Sequence, residues 1–262
     1  MIDAIYSLAV AAYGIATALL IIDLVGKDRR PGQTGVIVLL VAAVLHVVHD
    51  VLRWSQNHIG PFDGIGPVLS TIALLEIVVF LGIRRLRPNT EMVGAFVTPI
   101  ALVMFLGSRS PDRDAARFGP WLGAHILSNV LAMTALTVAA AMAVAYLLLE
   151  RQVKARRLGT LFHRLPPLDV LDTLAFRFIV LGMPALTVGV ITGHVLAARS
   201  HRTATLPWQQ YFAMIAWVLF AGVLFLRAFA GWRGRRMAIG TVLGFVCTAL
   251  VLLFYTVRGG TA

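Results

Sequence analysis

The sequence predicts an all-α protein: a polytopic membrane bundle of eight transmembrane helices with both termini outside, on the periplasmic side. Three observations predict it. The chain is 59% hydrophobic and only 13% charged, whereas a soluble domain averages about 45–50% apolar and about 25% charged. Its apolar residues lie in long unbroken runs, and a backbone in lipid is satisfied only in helices or closed barrels. Runs of this length fit helices, not short alternating strands. The 23 lysines and arginines fall in short clusters between the runs. That is a topology signal and not a nucleic-acid surface, in spite of a net charge of +11.

Eight spans follow, over 4–24, 35–52, 66–84, 91–108, 120–149, 172–198, 209–228 and 237–257. The N-terminal MIDAIYS, within which span one begins, lacks the basic stretch that opens a signal peptide. Span two carries His46, His49 and Asp50 near its end, on one helical face by their spacing of three and four. Span three holds Glu76 at its middle. An ionisable residue at that depth is a functional candidate; its plain alternative is a protonated or hydrogen-bonded group between helices. Span four closes the first half. Span five, within Trp121–Glu150, runs without a charge until Glu150 and carries His125 one turn in. About 20 apolar residues suffice to cross a bilayer, so it crosses with length to spare. Span six repeats small residues every fourth position, Ala185, Gly189, Gly193 and Ala197. Such a stripe lets a neighbouring helix approach closely, Pro184 is a kink position, and His194 follows the stripe. Spans seven and eight flank the basic run GWRGRR, 231–236.

The loops orient the bundle. Lys27, Arg29, Arg30, Arg84, Arg85, Arg87, Arg151, Lys154, Arg156, Arg157, Arg164, Arg227, Arg233, Arg235 and Arg236 fall on one side. Arg53, Arg109, Arg113, Arg117, Arg199, Arg202 and Arg258 fall on the other, with Asp112 and Asp114 among them. The richer side is the inner one, and Arg177 snorkels towards it. His46, His49, His58, His125, His194 and His201 then gather in the outer half; His163 alone is inside.

That clustering suggests chemistry. Imidazole ligates metals readily, and two imidazoles on facing helices of a bundle hold haem iron. Asp50 is placed to orient a ligating histidine. The plain readings are specific too. Trp54, Trp121, Trp208 and Trp217 at outer span ends fit interfacial anchors. His194 fits a helix–helix hydrogen bonder, and His58 and His201 fit headgroup contacts. The lone Cys247 excludes a disulfide and a CxxCH attachment. No HExxH, Walker loop or GxSxG occurs, so hydrolysis and nucleotide-driven transport have no support and bond-making chemistry is not expected.

Three stretches carry a resemblance. Trp121–His125, leading into an apolar helix that ends AYLLLER, resembles the histidine helix of the CcsA/CcmC haem-handling membrane proteins and of their HemX and YpjD relatives. LPPLDVLDTLAFRFIVLGMPALTVGVITG (165–193) is similar to that family's run before its periplasmic loop. AWVLFAGVLFLRAFAGWRGRRMAIGTVLGF (216–245) is similar to its tryptophan span, basic loop and final helix. The resemblance divides a single integral-membrane domain, 1–262, into less family-like spans over 1–108, matching through VLRWSQNHIGP, and a CcsA-like core over 119–257. It implies a protein that positions haem b at the outer face of the bacterial cytoplasmic (inner) membrane. His125 would be an axial ligand, with His194, His46 or His49 as the second and Trp121 and Trp208 as further contacts. The implied partners are haem and a CcsB-like subunit or apocytochrome c. The family's WxWDPKE-type loop is replaced by SHRTATLPWQQYF (200–212), which keeps only Trp208. The family's histidine before the basic loop gives way to Phe225 and Leu226, and the one after the last span is absent. These departures point to the HemX/YpjD-like branch. They leave open a cofactor-free regulatory scaffold acting through 151–164 and 231–236, and a b-type electron-transfer subunit.

Overall fold

The computed structural model describes residues 1–26, 30–87, 90, 93–109, 120–156, 162, 165–199 and 208–259. Lys27, Arg29, Asp112, Arg113, Asp114, Arg117, Arg157, His163, Arg164, His201 and Arg202, with 200–207 of the degraded loop, lie outside the described residues.

Among the described residues eight long α-helices follow one another: α1 (Ile2–Val25), α2 (Arg30–Asn57), α3 (Ile65–Leu86), α4 (Gly94–Gly107), α5 (Pro120–Lys154), α6 (Leu168–Arg199), α7 (Trp208–Ala230) and α8 (Arg235–Gly259). Seven are long and apolar enough to cross a membrane. The chain is therefore a multi-pass helical membrane protein.

The exception is α4. A span was expected over 91–108, but the helix covers 14 residues and contains Pro99. At about 1.5 Å per residue it rises about 21 Å, short of a hydrocarbon core of about 30 Å. The other helices overrun their apolar cores, because backbone hydrogen bonding does not stop where hydropathy falls. In α5 the added turn carries an ion pair, Lys154 Nζ to Glu150 Oε1 at 2.7 Å, one turn apart.

The helices alternate in direction. Tyr6, near the start of α1, touches His49 near the end of α2 and Phe105 near the end of α4. Ser70, near the start of α3, bonds Asp50 of α2. His125, near the start of α5, meets Thr192 near the end of α6. The histidine-bearing ends therefore lie at one end of the bundle.

α5 is the central helix. The hydrophobic window of α5 is 72% buried, against 17–50% in the other six spans. Its middle is rich in alanine (Ala132, Ala139, Ala140, Ala141, Ala143, Ala145, all buried), so helices approach it from several sides. It packs most extensively on α6 and also on α3, α4 and α8. Gly189 and Gly193 allow the α6 contact. A Cβ on Gly189 would meet the Asn129 amide at 2.8 Å, and one on Gly193 would meet His125 Cε1 at 2.9 Å. The small-residue stripe thus faces α5.

At the opposite end α6, α7 and α8 are locked by one acid. Asp172 accepts from Arg227 Nη1 at 2.7 Å and from the Gly234 amide at 2.9 Å. The same guanidinium lies 4.2 Å from the Phe176 ring centre. Gly231 and Gly234 have φ of 64° and 71°, which favours glycine, so the GWRGRR run is a defined turn as well as a basic one.

Candidate functional site

Two polar clusters occupy the histidine-bearing end. The first lies between α5 and α6. His125 Nδ1 stands 3.0 Å from the Gly189 carbonyl and 3.2 Å from Thr192 Oγ1. A carbonyl only accepts, so the ring proton is assigned to Nδ1. Thr192 donates its own hydrogen to Val188 O at 2.7 Å and is thereby an acceptor towards His125. Nε2 consequently keeps its lone pair. Asn129, one turn on, donates to the His125 carbonyl at 2.6 Å, with Nδ2 3.5 Å from Nε2. The imidazole is part-buried and lies against the bare backbone of Gly193. This is the arrangement a metal-ligating histidine takes, one ring nitrogen fixed by a backbone carbonyl and the other facing the metal.

Trp121 is 43% exposed one turn before His125, and the Arg199 guanidinium lies 5.2 Å from its ring centre. His194 follows Gly193 but points about 100° around the helix from it, and its side chain is exposed. The structure does not bring it into the bonding network of His125. Trp208 opens α7, 65% exposed and 6.1 Å from the Tyr211 ring.

The second cluster joins α1, α2, α3 and α4. His46, with 0% exposure, uses both ring nitrogens: Tyr13 Oη is 3.0 Å from Nδ1 and Ser70 Oγ 2.7 Å from Nε2. Ser70 donates to both Asp50 oxygens at 2.9 and 3.0 Å. His49 Nδ1 bonds Asp50 Oδ1 at 3.0 Å. The Phe105 ring sits at the centre, 3.9 Å from His46, 4.9 Å from Tyr6, and 5.7 Å from both Tyr13 and His49. His46, His49 and Asp50 share a face as their spacing requires, and that face is turned into the core. Tyr13, Ser70, Asn129, Thr192 and Asp172 were not singled out from the sequence. Asn129 alone carried a signal, its i+4 spacing from His125.

The profile of the family described as "Cytochrome C assembly protein" matches residues 33–260. The chain belongs to that family. Similar proteins include the "Cytochrome c biogenesis protein CcsA" of Synechococcus sp. (strain CC9902), 28% identical over 99% of this chain and 97% of the relative. The CcsA protein of Guillardia theta is 28% identical over 74% of this chain and 72% of its own length. That of Microcystis aeruginosa (strain NIES-843 / IAM M-2473) is 27% identical over 82% and 81%. These relatives are CcsA proteins; they do not support the HemX-like branch or favour the cofactor-free regulatory reading.

Proposed function

We propose that this protein handles haem for cytochrome c assembly and presents it at the outer membrane face, with His125 Nε2 as an axial ligand. One observation carries the assignment: the Nδ1–H bond from His125 to the Gly189 carbonyl at 3.0 Å, which fixes the ring and reserves Nε2. The donor set fits the group, since a neutral imidazole held by a backbone carbonyl is a common haem ligand. Haem iron, when bound, supplies redox and ligand-exchange chemistry set by its axial partners. The chain's own residues do the rest. Gly189 and Thr192 orient the ring, Gly193 makes room for it, and Trp121 with Arg199 forms an aromatic, cationic edge beside it.

In this reading His194 is the second ligand. It adjoins Gly193, and its side chain is exposed. His46 and His49 belong to the Asp50 network, where both nitrogens of His46 are already bonded. Trp208, at the start of α7, is a haem-edge contact. The haem is haem b, non-covalently held, consistent with the single cysteine. The receiver is apocytochrome c or a CcsB-like subunit. The chain forms one integral-membrane unit of the bacterial cytoplasmic membrane, with both termini outside and eight crossings, the short α4 crossing where the bilayer thins locally to match it. The excess of basic residues in the intervening loops supports that orientation.

The test is a reduced-minus-oxidised spectrum of the protein purified in mild detergent, beside His125→Ala. A Soret band in the wild type that is lost in the variant is expected. A colourless wild type that still restores cytochrome c assembly in a deletion strain sinks the assignment.

A further inference from the structure

Two ionisable side chains stand without a counter-charge among the described residues, one sealed and one open. Glu76, at the middle of α3, has 0% exposure and neither carboxyl oxygen bonded, so no solute from water reaches it. Arg199 is the open one. It closes α6 with its side chain exposed, and its guanidinium lies 5.2 Å from the Trp121 ring centre. No carboxylate pairs with it among the described residues, whereas Arg109, at the same end of the bundle, is held by Asp3.

The Trp121–Arg199 pair stands between His125 and the membrane surface. Trp121 precedes His125 by one turn, about 6 Å along α5. On the antiparallel α6, Gly193 lies against the His125 ring. Arg199 is six residues further on, about 9 Å towards the histidine-bearing end. The α5–α6 interface therefore carries an imidazole at its inner level and an aromatic–cation pair at its outer one. A helix C-terminus favours arginine through its dipole, and a membrane interface favours tryptophan. Those preferences explain the residue types and leave the guanidinium's donors unused. A cation–π contact engages the face of the group. Its N–H donors lie in the plane, in the fork that matches a carboxylate.

We propose that Arg199, stacked on Trp121, binds a propionate carboxylate of the haem held at His125, so that the site selects a tetrapyrrole with free carboxylates. This role rests on the haem reading above and adds the ligand's anionic edge to it. Haem b bears two propionates on one edge. A carboxylate in hydrocarbon is costly unless paired, so that edge lies towards the surface, on the side of His125 where Arg199 stands. The contact makes and breaks no covalent bond. It fixes the rotation of the macrocycle about the axis through His125 Nε2, which makes Arg199 a positioning residue.

The test uses full-length protein in nanodiscs of zwitterionic phosphatidylcholine, titrated with ferric haem b and with its dimethyl ester. The ester keeps the iron and the ring but caps both carboxylates. Soret titration should show haem bound about tenfold or more tighter than the ester, the size of one charge-assisted hydrogen bond. In Arg199→Gln the preference should fall towards one, because haem weakens while the ester does not. Arg199→Lys should restore part of it, since it returns the charge without the planar fork. Equal affinities in the wild type, or a preference that survives Arg199→Gln, overturn this role and leave the haem reading standing. A wild type that binds neither tetrapyrrole overturns both. A loss of thermal stability in Arg199→Gln confined to anionic phosphatidylglycerol nanodiscs, with the preference intact, assigns the arginine to lipid phosphate and overturns the role as well.

Discussion

His125 Nδ1 and the Gly189 carbonyl oxygen are 3.0 Å apart across the α5–α6 interface. The bond ties the one histidine of α5 to the backbone of its most extensively packed neighbour. It also sets which ring nitrogen is left for chemistry, so substitutions that disturb the ring's seat are informative even when they leave the imidazole in place.

Gly193→Val is the sharpest of these. An added Cβ would stand 2.9 Å from His125 Cε1, too close for the ring to stay. Haem affinity should fall on the order of tenfold or more, as for lost supporting contacts to metal ligands. Haem titration followed in the Soret region reads this directly. Unchanged affinity would mean that His125 is not held for ligation by α6.

Asp172 is expected to matter more for stability than for haem. Its ion pair with Arg227 is largely buried, at 9% and 12% side-chain exposure. Breaking such a pair from one side costs about 3–5 kcal/mol because the other charge is left unpaired. Asp172→Leu should therefore lower the thermal unfolding midpoint in detergent, and the double variant Asp172→Leu, Arg227→Met should recover much of the loss. A double variant no better than the single one would count against the buried-charge explanation.

Phe105 gives a packing prediction. It is fully buried among Tyr6, Tyr13, His46 and His49. Phe105→Ala should cost about 3–5 kcal/mol, measurable by thermal unfolding, and it should loosen the end of α4 against α1 and α2. A loss below about 1 kcal/mol, the range of volume-conserving swaps, would show that this cluster can collapse around the missing ring.

Topology can be read by fusion. If the proposed topology holds, with the C-terminus outside, alkaline phosphatase joined after Ala262 should be active and a fluorescent protein there should be dark. Both reporters should reverse when fused after Arg156. The same outcome at both points would refute an odd number of crossings between them.

The bundle was legible in the sequence because each helix is specified locally, by an apolar run long enough for lipid and closed by charge. α4 shows the limit. Hydropathy gives the extent of an apolar stretch, but not how much of it is helix, which in α4 is only Gly94–Gly107, packed on α1, α3 and α5. The small-residue stripe of α6 was equally legible, since a repeat of four keeps one face, and that face meets α5.

The site was legible only in part. Sequence spacing placed His46, His49 and Asp50 on one face and His125 near a helix start. It could not tell that the first face turns into the core, that His194 stands outside the hydrogen-bond network of His125, or that Ser70 and Tyr13 complete a chain of bonds. The sequence by itself determined a membrane bundle with six of its seven histidines expected in one half and glycines at a close helix contact. Which ring nitrogen is engaged, which acid is left unpaired and which arginine Asp172 holds were decided only by the tertiary structure. The physical reason is that a helix's composition fixes that it spans, whereas its rotation about its own axis is fixed by the neighbours it packs against.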